Sequence, residues 1–499
     1  LMKVVIIGGG SSGWLMAAAL SYVKKTNPTK VIDVTLIESP KVDRLSVGES
    51  TFPSLATLIN AIGIDENDIL NKSNGTYKWG TQFVGFQEYD YYHPVFGLPF
   101  VEDELTMDEV FIANDERVDI SAIGTQMMLS RKKPIKKFVE QTFTTDVQWN
   151  YPSRVGPYAL HIDINKFIDY IADFCVEKYG IKVVENQVVD VKKDIVGNCQ
   201  EVICEDGSKI SGDVFIDCSG FSRVLFERIL KEKFVSFKDF LPVDSAIAFE
   251  KVGEKYEPLR KNFVTATAFN SGWSWEIPLR NKTSRGYVYS SDFITADDAV
   301  LELESRFGKI DITSKIDMKT GMFERLGIKN MYAVGLASGF IEPLESNATT
   351  ITTGQANYLA GLLSNSNDTN LISELYNTHC GKTFSHFLSF IQLHYINNRG
   401  ATDFWKHAKR NIRYAEVFDN FMEDIYQNKR LPTGKDMFID DLEENFGLSS
   451  WLSVMQSIQF IDKSHCTEAH RSVDFELAKK TIDEEIRYYK NLLRDNTYE

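Results

Sequence analysis

Val4-Val5-Ile6-Ile7-Gly8-Gly9-Gly10-Ser11-Ser12-Gly13-Trp14 carries an apolar run through G-x-G-x-x-G into the alanine-rich stretch Leu15 to Leu20. Consecutive apolar residues fit a strand buried on both faces, and the glycines allow a tight turn whose backbone can come close to a ligand. A helix that starts after such a turn offers free N–H groups and a positive dipole end, which suits a pyrophosphate at Gly10 to Gly13. The next apolar segment, Val31 to Ile37, ends in Glu38, about 25 residues beyond Gly13. That is near the roughly 20-residue spacing at which an acid takes the ribose hydroxyls of an adenine dinucleotide. Strand, glycine turn, helix, strand and acid together predict an α/β dinucleotide-binding unit. The dull alternatives are a solvated strand-end glutamate and glycines that merely close turns.

Composition narrows the class. A chain of 499 residues exceeds the size at which one core keeps growing, so two closely packed parts are expected. The balance of 55 Lys+Arg against 70 Asp+Glu leaves no basic block that could track a phosphate backbone, which argues against nucleic acid and anionic membrane as partners. Six cysteines, at 175, 199, 204, 218, 380 and 466, form neither a C-x-x-C pair nor a dense disulfide framework. A reducing cytoplasm is the expected setting. The first apolar strand is too short for a signal peptide or a membrane span.

Residues 39 to 150 lose the clean alternation and are rich in aromatics, as in Tyr89-Asp90-Tyr91-Tyr92-His93-Pro94, and read as an insertion carrying part of a substrate pocket. The nucleotide-domain pattern returns with a helix over Phe167 to Tyr179, a strand over Ile181 to Val184, and Val214-Phe215-Ile216-Asp217-Cys218-Ser219-Gly220. Residues 244 to 294 predict antiparallel strands at Thr265 to Phe269, at Trp273-Ser274-Trp275-Glu276-Ile277-Pro278, and at Gly286 to Ser290. Met331 to Gly335 forms another strand and turn, followed by a helix after Glu345. From Ser364 onward helical periodicity dominates. The expected division is a module over 2–365 with β-rich and pocket insertions, and a mainly helical substrate-binding cap over 366–499.

Several residues carry candidate chemistry. Gly8 to Gly13, Ile216 to Phe221, and Ala333 to Gly339 with Gly335 and Leu336, would converge on one elongated cofactor in the FAD-binding fold of aromatic hydroxylases. Lys78, in Gly75-Thr76-Tyr77-Lys78-Trp79-Gly80, is flanked by large rings; such lysines usually snorkel, though desolvation can tune their amine. Glu345 follows a proline and faces a helix start, where a capping acid is the ordinary reading. Trp273 and Trp275 lie two apart and would share one side of a strand as an indole wall, more often core than function. His161 and His394 have no second ligand at helical spacing, so they read as structural histidines and no metal is expected.

Taken together these motifs resemble the flavin-dependent halogenases, relatives of the tryptophan halogenases. The resemblance rests on the glycine loop, on W-x-W-x-I-P at 273–278, on T-x-K-x-G around Lys78, and on Glu342-Pro343-Leu344-Glu345-Ser346. It extends to Val47-Gly48-Glu49-Ser50-Thr51-Phe52-Pro53, Tyr158 to Asp163, and Leu393-His394-Tyr395 with Arg399, Asp403, Phe404 and Trp405. It implies an α/β, FAD-binding Rossmann-like core of the aromatic hydroxylase type with an antiparallel β-sheet layer and a C-terminal helical cap. FAD would contact Gly8, Gly10, Ser11, Ser12, Gly13, Trp14, Glu38, Val47, Gly48, Gly335 and Leu336.

The resemblance also assigns roles. Lys78 would hold or capture hypohalous acid, Glu345 would polarise the electrophile or accept the ring proton, and Ser346 would assist. Glu342 is given a structural part in the turn. The halide would sit on the backbone amides of Asn347 and Ala348, where related sequences tend to have Thr-Gly, so a changed halide preference is expected. Trp273, Trp275, Ile277 and Pro278 would keep the organic substrate away from the flavin. A single dinucleotide fingerprint implies that FAD arrives reduced, as FADH2, from a separate flavin reductase, to meet O2 and a halide ion. The substrate would be a small electron-rich aromatic, an indole or phenol, and no charged clamp for an amino-acid backbone is visible. A flavoprotein of this size often pairs as a homo-oligomer. The competing readings are a flavin monooxygenase that hydroxylates an aromatic, separable by product mass, and a flavin-binding protein without turnover, separable by halide-dependent product.

Overall fold

A computed structural model of the chain describes residues 1–42, 44, 48–95, 100–102, 105–106, 112–113, 159–253, 261–397, 399–410, 412–427 and 446–466, with isolated positions from 475 to 487. The fold is mixed α/β. Its first layer is a six-stranded sheet in the order Lys182–Glu185, Ile32–Glu38, Met2–Ile7, Val214–Asp217, Met331–Ala333 and Gly327–Ile328. All neighbours are parallel except the last pair. The central strands are buried through Val4 to Ile7 and Val214 to Asp217, as the unbroken apolar runs predict for a sheet covered on both faces.

The glycine loop packs as its sequence requires. Gly8 has φ +116°, and a Cβ there would lie 2.2 Å from the Cys218 carbonyl oxygen. A Cβ on Gly13 would lie 1.9 Å from the Gly8 oxygen, so only glycine lets the helix Ser11–Thr26 sit this close to the strand that precedes it. The turn after Val214–Asp217 is tied by buried Asp217, whose carboxylate accepts from Ser219 Oγ (2.6 Å) and from the Leu225 amide (2.7 Å).

The second layer is a seven-stranded sheet: Ile310–Asp317, Ser245–Lys251, Thr283–Tyr289, Gly272–Pro278, Val264–Phe269, Gly80–Val84 and Tyr91–Pro94. Its pairs are antiparallel except Val264–Phe269 with Gly80–Val84. The expected strands between 244 and 294 are therefore present, and their sheet also recruits two strands from the aromatic-rich stretch. A small sheet of Gly48–Ser50, Ala159–Asp163 and Thr76–Lys78 meets both Gly272–Pro278 and Thr283–Tyr289 of the second layer at Gly48–Ser50.

Asn347–Asn365 and Thr369–Tyr395 are long helices broken at 366–368, where Asp368 caps the second by accepting from Asn370 and Leu371. One hydrophobic cluster runs from Val4 through Trp405 to Cys466, so these helices share a core with the sheets. No helix among the described residues is long and apolar enough to cross a membrane. Most of the expected insertion over 39–150 that follows residue 95, and most residues after 466, lie outside the described residues.

Candidate active site

A cleft opens where the first helix, the indole strand and the Pro343–Thr352 turn and helix meet. Of the residues singled out from sequence, Ser11, Ser12, Gly48, Trp273, Trp275, Ile277, Leu336, Ser346 and Ala348 line it together. Positions up to 337 residues apart in the chain are thus brought to one wall. Gly335 supports this wall from behind: at φ +67°, its Cβ would press to 2.0 Å of Ser12 Oγ. Gly10 caps the first helix with no side-chain bond, and a Cβ there would meet no atom within 4 Å. The helix start therefore faces open space, as an approaching anion requires. Val47 lies outside the described residues. Glu38 is not free: its Oε1 is held by Arg44 Nη2 at 2.7 Å, and Arg44 reaches Asp169 as well. Trp14 is buried in the core beneath the helix, its Nε1 without a hydrogen-bond partner.

The two tryptophans are anchored differently. Trp275 sits in the notch left by Gly286, where a Cβ would fall 1.8 Å from the indole. Trp273 is fixed by a hydrogen bond from Nε1 to Glu342 Oε1 (3.1 Å). The rings lie 6.4 Å apart, tilted by 59°. Pro278 faces away from the cleft lining; its carbonyl accepts from Thr76 Oγ1 (2.8 Å), which also meets His161 Nδ1 (2.9 Å). His161 thereby joins the indole strand to the strand that carries Lys78. Burial, and then the nearby Lys78 charge, push its imidazole well below the ordinary range.

Lys78 is 1% exposed and does not line the cleft. Its Nζ donates to the Thr51 carbonyl at 3.1 Å and lies 4.6 Å from the Phe52 ring centre. Thr51 is held in turn by reciprocal bonds with Leu160, from its hydroxyl to the carbonyl (2.9 Å) and from the amide back to its hydroxyl (3.0 Å). Burial lowers the amine from 10.5 to about 7, and the Glu345 charge only partly opposes this. At neutral pH a large fraction of Lys78 is therefore the free amine.

Glu345 also turns away from the cleft, between Leu344 and Ser346, which face it. Its Oε1 accepts from His93 Nδ1 (2.8 Å) and lies 3.0 Å from His394 Nε2. Burial would raise this carboxyl, but the two imidazoles outweigh it and hold the group at about 2. Burial also lowers His394 against the pull of Glu345. Both conditions are met by a neutral His394, since an imidazole N–H stabilises the carboxylate without carrying a full charge. Tyr91 Oη bonds the other nitrogen of His394 (2.8 Å), and Phe83 stacks on its ring (4.5 Å). His394, read from sequence as structural, thus stands in the acid's own surroundings. His93 and Tyr91 were given no role of their own from sequence, and Thr51 and Phe52 were noted only within the match over 47–53. Their partners lie across the fold, and the available signals were that match and the aromatic density around His93.

The halide expectation concerns the backbone amides of Asn347 and Ala348, whose side chains go different ways. Ala348 lines the cleft, whereas the Asn347 side chain is fully buried and donates from Nδ2 to the Glu342 carbonyl (3.0 Å), leaving Oδ1 without a partner. Ser346 holds φ +61° at the N-cap with no side-chain cap bond. Next along this helix, Thr349 Oγ1 donates to Glu49 Oε2 at 2.6 Å, and Glu49 faces the same cleft. Burial pushes the Glu49 carboxyl up, opposed by Thr349. No group of three or more His, Cys, Asp or Glu placed to hold a metal ion occurs among the described residues.

Comparison with known proteins places this geometry. The family model described as tryptophan halogenase matches residues 3–473. Tryptophan 7-halogenase RebH of Lentzea aerocolonigenes is 26% identical over 511 aligned positions, covering 95% of this chain and 93% of RebH. The 7-chloro-L-tryptophan 6-halogenase KtzR of Kutzneria sp. is 31% identical over 365 positions, 69% of each chain. Among solved structures, Tar14, a tryptophan C-6 flavin-dependent halogenase of taromycin biosynthesis, superposes with a TM-score of 0.87 at 25% identity, covering 100% of this chain and 98% of Tar14.

Proposed function

Because the chain belongs to the tryptophan halogenase family and is a flavin-dependent halogenase, we propose that it halogenates an electron-rich indole or phenol, with Lys78 and Glu345 as the residues that handle the electrophile. The six-stranded sheet is then the Rossmann-like, FAD-binding half of an aromatic-hydroxylase-type core. Its glycine turn holds the pyrophosphate at Gly10 to Gly13, and Glu38 meets the ribose once Arg44 yields or shares it. The residues present fit the cofactor: an uncapped helix start facing open space, a glycine pressed to its neighbours at Gly8, and a mainly apolar cleft edged by hydroxyl side chains and Glu49. When bound, reduced FAD with dioxygen and halide supplies hypohalous acid.

The chain's own residues do the rest. Ser346 and Ala348 present the helix start to the cleft, where backbone amides hold the halide. Trp273, Trp275 and Ile277 close the cleft with apolar surface, which excludes water and keeps carbon nucleophiles from the flavin. Lys78, dry and near neutrality, receives the halogen electrophile as a hydrogen-bonded species or through its free amine. Glu345, ionised throughout the physiological range, polarises that electrophile and stabilises the positive charge that develops on the ring. The observation that carries this reading is the placement of both groups, buried off the cleft that the indole pair lines, with the Glu345 charge acting on Lys78. A separate flavin reductase supplies the reduced cofactor, and the setting is cytoplasmic.

The test is product mass. With reductase, FAD, O2 and a halide, an indole or phenol should exchange one hydrogen for halogen. Gain of one oxygen without halogen would refute the reading.

A further inference from the structure

The first glutamate of the Glu342-Pro343-Leu344-Glu345 turn is used by no step above, yet it is among the most enclosed acids in the molecule. Glu342 is 0% exposed. One of its oxygens, Oε1, accepts both Trp273 Nε1–H (3.1 Å) and Tyr395 Oη–H (2.6 Å). The other, Oε2, is buried with no hydrogen-bond partner among the described residues. Two donors crowded on one oxygen beside a bare one is the pattern of a neutral carboxylic acid, whose carbonyl oxygen accepts twice while the other oxygen carries the proton.

Each donor is braced. Tyr395 stacks on Trp405 (5.8 Å between centres), and Trp405 Nε1 donates to the Phe269 carbonyl (2.8 Å). Phe269 pairs with Gly272 at the start of the indole strand. Trp273 thus stands inside a closed loop of contacts from helix Thr369–Tyr395 through Glu342 to its own sheet. Trp275 has no such tie and relies on the notch at Gly286.

We propose that Glu342 is a positioning residue for the indole wall, acting as an uncharged clamp that sets the orientation of Trp273 by joining it to Tyr395. This deepens the reading of the wall as a partition and rests on it. The clamp has a pH limit. Burial raises the Glu342 carboxyl to about 8, with the Tyr395 and Trp273 bonds opposing. Tyr395 is the titratable side chain bonded to it, and burial together with the Glu342 charge keeps that phenol protonated well above its usual range. Ionisation of Glu342 leaves a charged, unpartnered oxygen in a dry core, so alkaline pH should loosen the clamp before it touches Tyr395.

Two measurements test this. In the flavin-free protein uniformly labelled with 15N, Trp273→Phe identifies the Trp273 indole resonance among the seven tryptophans. That resonance should move with a midpoint near pH 8 in wild type and stay still in Glu342→Gln, whose amide oxygen can accept both bonds. In the reductase-coupled reaction with indole and bromide, halogenated product per reduced flavin consumed should drop about tenfold in Glu342→Ala, with hydrogen peroxide as the leak. Tenfold is the equivalent of one hydrogen bond worth about 1.4 kcal/mol. The rate of flavin oxidation should not change, and Glu342→Gln should keep wild-type coupling. If Glu342→Ala does not fold, Tyr395→Phe should also lose coupling, because it keeps the ring and removes only the hydroxyl donor to Glu342. Wild-type coupling in Glu342→Ala or Tyr395→Phe overturns the proposal, as does equal loss in Glu342→Gln, or an indole resonance indifferent to pH. A wild type that yields no halogenated indole sinks the reading of the reaction instead, and the resonance then decides the clamp alone.

Discussion

Replacing Lys78 with methionine should abolish halogenation and at the same time stabilise the fold in a pH-dependent way. The amine falls from 10.5 to about 7 because it is buried. Below pH 7 folded and unfolded chains both bind the proton, and the folded state bears the full burden. Between pH 7 and 10.5 only the unfolded chain holds it, so folded-state stability rises with pH across that window. Integrating the two titrations gives a penalty of about 4 kcal/mol at pH 7 and about 2 kcal/mol at pH 9. Methionine has no such titration. It also loses the bond to Thr51 and the contact with Phe52, but those losses enter at every pH and cancel in the comparison between pH values. With an unfolding entropy of about 1 kcal/mol/K for a chain of this length, the melting temperature of Lys78→Met relative to wild type should fall by ~2 °C from pH 7 to pH 9. Calorimetry of the flavin-free proteins at the two pH values checks this. A difference that stays constant with pH would refute the claim that the amine is desolvated and near neutrality.

The other predictions concern the wall, the acid and the halide. Glu345→Gln should slow ring halogenation roughly a hundredfold or more while leaving reduced-flavin oxidation unchanged, followed by stopped-flow and product analysis; equal loss of both would make the acid a folding element. Because the folded Glu345 carboxyl lies near 2 against an ordinary 4.5, the stability it confers is complete above pH 4.5 and is lost as pH falls towards 2, so acid unfolding of Glu345→Gln should be flatter over that range. Gly286→Ala puts a methyl 1.8 Å from the Trp275 ring and should cost about 1–3 kcal/mol in a denaturant melt, with a loss of coupling. Competition among chloride, bromide and iodide should show a preference set by the Asn347-Ala348 start of the helix; indifference among the three would leave that idea without support.

What was legible in the sequence is what local pattern encodes. The unbroken apolar run Val4 to Ile7 could only be a doubly covered strand. The period-two spacing of Trp273, Trp275 and Ile277 put all three on the cleft wall. The glycine loop told its own story because Gly8 and Gly13 are demanded by backbone contacts within the unit itself. The surroundings of Glu345 were not legible, since His93 lies 252 positions away in the chain and neither its spacing nor its neighbours tie it to the acid. His394 was read as structural because ligand spacing was sought along one helix, while its partner stands on a turn outside it. The direction of the Asn347 side chain was not legible either: a helix rotates consecutive side chains by about 100°, and its amide turns inward to the Glu342 carbonyl while Ala348 lines the cleft.

The turn that precedes this helix lets one pentapeptide serve two compartments. In Glu342-Pro343-Leu344-Glu345-Ser346, Pro343, Leu344 and Ser346 border the cleft, whereas Glu342 and Glu345 point away from it into separate buried clusters. The two acids then experience opposite electrostatics only three residues apart. Glu345 meets two imidazoles and is held ionised near 2; Glu342 meets neutral donors on one oxygen only and is driven up to about 8. Their partners His394 and Tyr395 are consecutive at the end of one helix. A shift of that helix end would therefore disturb the charged acid beside the electrophile and the neutral acid behind the wall in the same motion.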